Sequence, residues 1–217
     1  PELNGSGFDG LAADLMALGY DYRIFDLTVP QRLDKYGTVI MPCSEFMDPD
    51  SQEQLVALVR GGAHLILIGS VPKLDLEMEP CEILAKALGF RTSLESAILT
   101  VESKHLEFAA QTYGTIRRTP TRAAKLAKSG AKLLAATNRS GKGQVTVTTV
   151  SPGSQLHPER LAFFHEILKS GKLTTPVSSS DPHVHVVLHA HQKAGLLMVY
   201  DIAETVGLAT APEPSVA

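Results

Sequence analysis

Tryptophan is absent from the 217 residues, and cysteine occurs only twice, as Cys43 and Cys81. A secreted domain stapled by disulfides would carry more, so both are read as reduced thiols, a single bridge being the alternative. No apolar run reaches the ~20 residues that cross a bilayer. No leader peptide opens the chain, which starts on Pro1-Glu2 rather than Met. That opening suggests processing, excision from something longer, or a start that is not included. An excess of either charge is lacking as well: 20 Lys and Arg nearly balance 23 Asp and Glu, for a formal net charge of −3, and no Lys/Arg cluster falls on any expected helix face. Nucleic acid and anionic membrane are therefore not expected as partners. No G-x-G-x-x-G, Walker or zinc-finger pattern occurs, and no cofactor is expected. What remains is a chain of ordinary globular composition, 44% apolar and 20% charged. It is expected in the cytoplasm, as one domain or one domain with an appendage.

Periodicity then gives the elements. Phe8, Leu11, Leu15 and Leu18 recur at helical spacing and Gly19 stops the helix. Tyr20 to Leu27 and Tyr36 to Met41 read as strands. Asp48-Pro49-Asp50 opens a helix in which Asp48 caps, Pro49 takes the first helical position and Asp50 complements the dipole. Leu55, Leu58 and Val59 are its buried stripe and Gly61-Gly62 ends it. Ala63 to Ile68 is apolar without alternation, as in a strand covered on both faces. Pro80 starts a helix carried by Ile83, Leu84, Ala87 and Leu88 and stopped at Gly89. Ala97–Val101, Leu106–Ala109 and Tyr113–Arg117 are short strand-like pieces. Ala131–Thr137 and Gln144–Val150 are better strands, joined by the turn signal Asn138-Arg139-Ser140-Gly141-Lys142-Gly143. Pro158 begins a helix with Leu161, Phe164 and Leu168 on one face. Thr174 to Asp181 reads as a linker, His183–His191 and Leu196–Ile202 as a hairpin, and the tail from Ala209 as disordered.

Strands alternating with helices predict a parallel sheet covered on both sides, with Val39–Met41 and Leu65–Ile68 among its central strands. The chain begins with a helix where such folds begin with a strand, so a first strand is expected upstream of Pro1.

Three stretches carry a resemblance. YGTVIMPCSEFMDPDSQEQLVALVRGGAHLILIG is strand, loop, helix and strand. SGKGQVTVTTVSPG is the end of a hairpin leading to a loop. DPHVHVVLHAHQKAGLLMVYDIAE looks like the first hairpin of an all-β domain. In this order they resemble the glutamine-amidotransferase-like domain of bacterial β-galactosidases, also called the trimerisation domain, over most of residues 1–205. The resemblance implies an α/β, flavodoxin-like three-layer parallel sheet of the class I amidotransferase kind over residues 1–173. A linker and β-hairpin of a following β domain (174–208) and a disordered tail (209–217) complete the expected organisation. It also implies a non-catalytic assembly module of a glycoside hydrolase, whose partners are other copies of itself, for instance as a trimer, and a catalytic barrel absent from this chain.

The competing function is a serine hydrolase or esterase on the same fold. Ser70, in Gly69-Ser70-Val71-Pro72, stands near where the amidotransferases carry their nucleophile at a strand-to-helix junction. His157-Pro158-Glu159 matches the His-Pro-Glu that supplies base and orienting carboxylate, although it falls several residues past the expected place. The plainer reading is a helix start: Pro158 as first residue and Glu159 on the dipole. A third possibility is a small ligand bound at the carboxyl ends of the strands. Cys43 is read as a packed thiol. His183, His185, His189 and His191 share one parity of a strand and form a weak metal candidate, with Asp181 nearby and no further ligand at metal spacing. Glu45, Asp48 and Asp50 are close in sequence without the separation a glycosidase pair needs. Gly5-x-Gly7 is a faint anion-site signal.

Overall fold

The structure, a computed structural model, describes residues 5–20, 22–29, 32–153, 157–170, 173, 184–191 and 194–201. The linker from Thr174 to Asp181 and the tail from Ala209 lie outside the described residues.

The order is α1 (Gly5–Ala17), β1 (Thr38–Cys43), α2 (Pro49–Gly61), β2 (His64–Gly69), α3 (Ile83–Leu88), β3 (Arg91–Ser103), β4 (Leu106–Arg118), β5 (Ala124–Ser129), β6 (Lys132–Ser140), β7 (Gly143–Thr148), α4 (Pro158–Ser170), β8 (Val184–His191) and β9 (Ala194–Asp201). Helix α2 forms as its caps dictate. The Asp48 carboxylate accepts the Ser51 N–H at 2.8 Å, and Pro49 occupies the first turn, where no donor is needed. Every residue of β2 is buried. Leu65 and Leu67 join a core with α2 and α3, while Ile66 and Ile68 join a second core with α1 and α4. The unbroken apolar run of this strand is thus the alternation of two covered faces.

The expected fold class is corrected by the sheet. Its order is β1-β2-β7-β6-β4-β3-β5. Only β1–β2 and β2–β7 are parallel; β7–β6 and all pairings among β3, β4, β5 and β6 are antiparallel. Because β5 pairs with both β3 and β6, the strands β3, β4, β6 and β5 close into a small barrel. The fold is therefore a mostly antiparallel sheet with a closed barrel, not a flavodoxin-like three-layer parallel sheet. The reason lies in the connections. Ser103↔Leu106, Ser129↔Lys132 and Ser140↔Gly143 are each bridged by two residues, and a parallel pair needs a crossover of roughly a dozen or more. Gly141, at φ 61°, supplies the left-handed backbone that one of these turns requires.

Other readings change with it. β2 is central, but β1 is an edge strand paired with β2 alone among the described residues. Tyr20 to Leu27 forms no strand in its described part, since no ladder lies beside it. The three strand-like pieces between Ala97 and Arg117 merge into two strands of 13 residues each, and β5 was not anticipated. The C-terminal hairpin is present as β8 and β9, with His185 opposite Tyr200 and His189 opposite Leu196.

Candidate functional site

The carboxyl ends of β1 and β2 meet where the sequence placed its candidates. The Ser70 N–H donates to the Cys43 carbonyl at 3.0 Å, tying the two strand ends together. Gly69 makes this approach possible. Its φ is 114°, and a β-carbon there would collide with the Cys43 carbonyl oxygen. Gly69→Ala is accordingly expected to cost about 2 kcal/mol or more, read as a lower urea midpoint with the m-value unchanged.

Ser70 is buried, and its Oγ has no hydrogen-bond partner. His157 is half-exposed. Its Nδ1 lies 3.1 Å from the Glu159 carboxylate, and its ring is tilted against Phe108 at 6.2 Å. The structure therefore brings His157 and Glu159 together, with Glu159 in the first turn of α4, but forms no hydrogen bond between Ser70 and His157. Cys43 is also buried; its Sγ donates to the Met41 carbonyl at 3.3 Å, and burial raises the thiol pKa far above neutrality. Burial therefore works against a thiolate at this position. Glu45 pairs with Lys73 at 2.9 Å, and the Asp48 carboxyl is held below its usual range by the Ser51 hydrogen bond. Among the described residues no three His, Cys, Asp or Glu gather as a metal site. The side chains of His183, His185, His189 and His191 lie outside the described set, and Gly5 and Gly7 are described only as part of the backbone of α1.

Two buried polar groups near these strand ends escaped the sequence reading. The Gln52 amide donates to the Met47 carbonyl at 2.8 Å, and its oxygen accepts the Leu84 N–H at 3.0 Å, fastening α2 to the start of α3. Arg160 of α4 donates to Asp14 of α1 at 3.0 Å, and both are buried. Burial raises the Asp14 pKa even though Arg160 lowers it in part. The signal available in sequence was one of position: Asp14 sits in the Leu11–Leu15–Leu18 stripe, and Arg160 precedes Phe163 and Phe164 by three and four residues.

A further cavity lies among the described residues. A groove of about 790 Å³ runs along the edge of β1 that has no strand partner among the described residues, lined by Thr38–Pro42, by Tyr20 and residues 22–25, and by Leu11 and Leu15 of α1.

Comparison with known proteins settles the family. Residues 2–122, more than half of the chain, match the family described as "GLMA-like, second domain". The chain belongs to that family. A β-1,2-glucosyltransferase of Ignavibacterium album is 26% identical over 191 residues, covering 86% of this chain and 26% of that protein. Among solved structures, Gan42B, a GH42 β-galactosidase of G. stearothermophilus, superposes with a TM-score of 0.72 at 12% identity, covering 88% of this chain and 30% of that one. The cold-adapted β-galactosidase of Rahnella sp. R3 superposes at 0.71 with 17% identity, again over 88% of this chain and 30% of the other. The resemblance to a β-galactosidase domain is thus borne out, as a shared fold. The GLMA-like domain spans between a quarter and a third of the length of these relatives. Among its described residues no helix is long and apolar enough to cross a membrane.

Proposed function

We propose that this GLMA-like domain is a non-catalytic assembly module of a β-galactosidase-type glycoside hydrolase. It mediates self-association, as a trimer, and packs on a catalytic barrel elsewhere in the same protein. The observation that carries the reading is the superposition on a 30% portion of GH42 β-galactosidases. In this proposal the catalytic barrel, ~250 residues in folds of that kind, lies in the remainder of the parent protein. The described polar groups fit the reading, since Glu45, Asp48 and Glu159 each have a structural partner or helix-end role. In this proposal residues 1–173 are the module, 174–208 lead into a following β domain, and 209–217 are a tail. The two cysteines are free in the structure, which supports a cytoplasmic setting. The glucosyltransferase relative favours a second version, in which the same module serves a glucoside-transferring parent.

The serine-hydrolase alternative gains no support, because an activated serine needs a base within roughly 2.6–3.2 Å and Ser70 Oγ has no partner. The test combines sedimentation equilibrium with assays on a β-galactoside and an activated ester. A concentration-dependent oligomer without turnover of either substrate is expected. A monomer at high micromolar concentration would end the assembly reading. Ester turnover abolished by both Ser70→Ala and His157→Ala would replace it with the hydrolase.

A further inference from the structure

We propose that the groove beside β1 receives a polypeptide strand running parallel to β1, and that its occupant is the segment of the same protein leading into α1. The edge of β1 is arranged for it. His64 N–H donates to Gly37 O and Ser70 N–H to Cys43 O, so the odd-numbered backbone groups of this stretch face β2. By alternation Thr38, Ile40 and Pro42 turn theirs toward the groove. Thr38 and Ile40 each offer a donor and an acceptor, and Pro42 an acceptor only. A ladder on this side lacks one donor, at its last rung. Exposed edges are normally blunted by charge, proline or bulges, and of these β1 carries only Pro42, at its carboxyl end. β1 (Thr-Val-Ile-Met-Pro-Cys) has no charged residue, and its register with β2 is unbroken. Thr38 Oγ1 is buried there without a hydrogen-bond partner.

The opposite wall is equally ready. Tyr20, Tyr22, Ile24 and Phe25 favour strands, yet their segment pairs with nothing among the described residues. Tyr22 is 40% and Ile24 66% exposed. A strand inserted between them and β1 would give both sides a ladder. The occupant must be apolar on both faces, because Leu11 and Leu15 line one side and Phe25 and Tyr36 the other. About five residues, roughly 17 Å, would cover the exposed edge.

Handedness selects the occupant. The β1–α2–β2 connection moves toward β2 with α2 in the core that contains Leu65 and Leu67. A strand in the groove, followed by α1 and then by residues 20–27, moves the opposite way. Right-handed crossovers in opposite directions place their helices on opposite faces. α1 does lie in the other core, with Ile66 and Ile68. A strand from a second copy or from another protein would carry no such constraint. The relatives leave ample chain for it, since this domain covers 26–30% of their lengths.

The test is amide exchange on the 217-residue chain and on the same chain extended by its native upstream residues, about fifteen of them. Thr38, Ile40 and residues 22–26 should exchange about a hundredfold more slowly in the longer protein. Ile40→Pro removes a groove-facing donor, so it should lower the Tm of the longer protein by ~5 °C more than that of the shorter. Equal exchange rates or equal Tm losses would overturn the proposal, as would a reading frame with no residues before Pro1. Protection of the short chain that rises with protein concentration would assign the groove to a second copy instead.

Discussion

Arg160→Met is expected to destabilise the domain by about 3–5 kcal/mol at neutral pH, because it strands the Asp14 carboxylate in the core between α1 and α4. Asp14 is 1% exposed, and its Oδ2 already lacks a partner. Burial holds its pKa above the ordinary value with Arg160 in place; without the guanidinium the pKa rises further. The sign follows from that direction. A carboxyl whose folded pKa is raised favours folding below its unfolded pKa of ~3.9, and that contribution is lost as pH rises through the folded pKa. The deficit of Arg160→Met relative to wild type should therefore shrink as pH falls from 7.5 toward 4.5. Urea titrations at the two pH values measure it. A deficit equal at both would mean that lost packing around Gly153, not the carboxylate, carries the cost. The double variant Asp14→Leu/Arg160→Met removes the charge altogether and should recover most of the loss.

This pair shows where sequence reading stopped. Elements with local signals were legible: Asp48-Pro49 for α2, Pro158 for α4, the apolar run of β2, and Asn138 to Gly143 for the turn between β6 and β7. Each is decided by neighbours within a few residues. The sheet as a whole was not. β3 carries Ser93, Glu95, Ser96 and Thr100, half of it facing solvent, and its register with β4 slips between Leu94 and Ala97. Its alternation is too broken to read as one long strand. Tyr20 to Leu27 errs the other way, having strand propensity but no neighbour to pair with. The barrel closes through contacts between β3 and β5 that no local pattern encodes. The candidate site was half legible for the same reason. His157 and Glu159 are two apart on one chain and do meet, whereas a link between Ser70 and His157 depended on two distant segments, and the structure makes no such bond. Gln52, Asp14, Arg160 and His64 owe their roles to burial, which a single sequence shows only as polar letters in apolar stripes.

His64 gives the other large effect, and acid reveals it. The ring is 4% exposed at the start of β2, with Nε2 2.8 Å from Thr146 Oγ1. The Thr146 hydroxyl donates to Thr137 Oγ1 at 3.0 Å, and the Thr137 hydroxyl donates to the Val145 carbonyl at 3.0 Å. Thr146 must therefore accept from His64, which fixes the proton of the neutral ring on Nε2. Nδ1 is buried without a partner, so a second proton would have no acceptor. Burial accordingly lowers the pKa from 6.5 to about 4. A histidine with a depressed folded pKa leaves stability intact above its unfolded pKa. As pH falls below that value the unfolded chain takes up a proton the folded one refuses. Between pH 6.5 and 4 the domain should thus lose about 3 kcal/mol through this one group. His64→Gln retains a donor for Thr146 and cannot titrate. It is expected to be less stable than wild type at pH 7.5, to converge on it as the pH approaches 4, and to do so over the interval set by His64. Urea unfolding of both proteins at pH 7.5, 5.5 and 4 measures the difference, in which the remaining titrating groups cancel. Parallel stability curves would show that His64 takes up its proton as readily folded as unfolded, and would refute the lowered pKa of the buried ring.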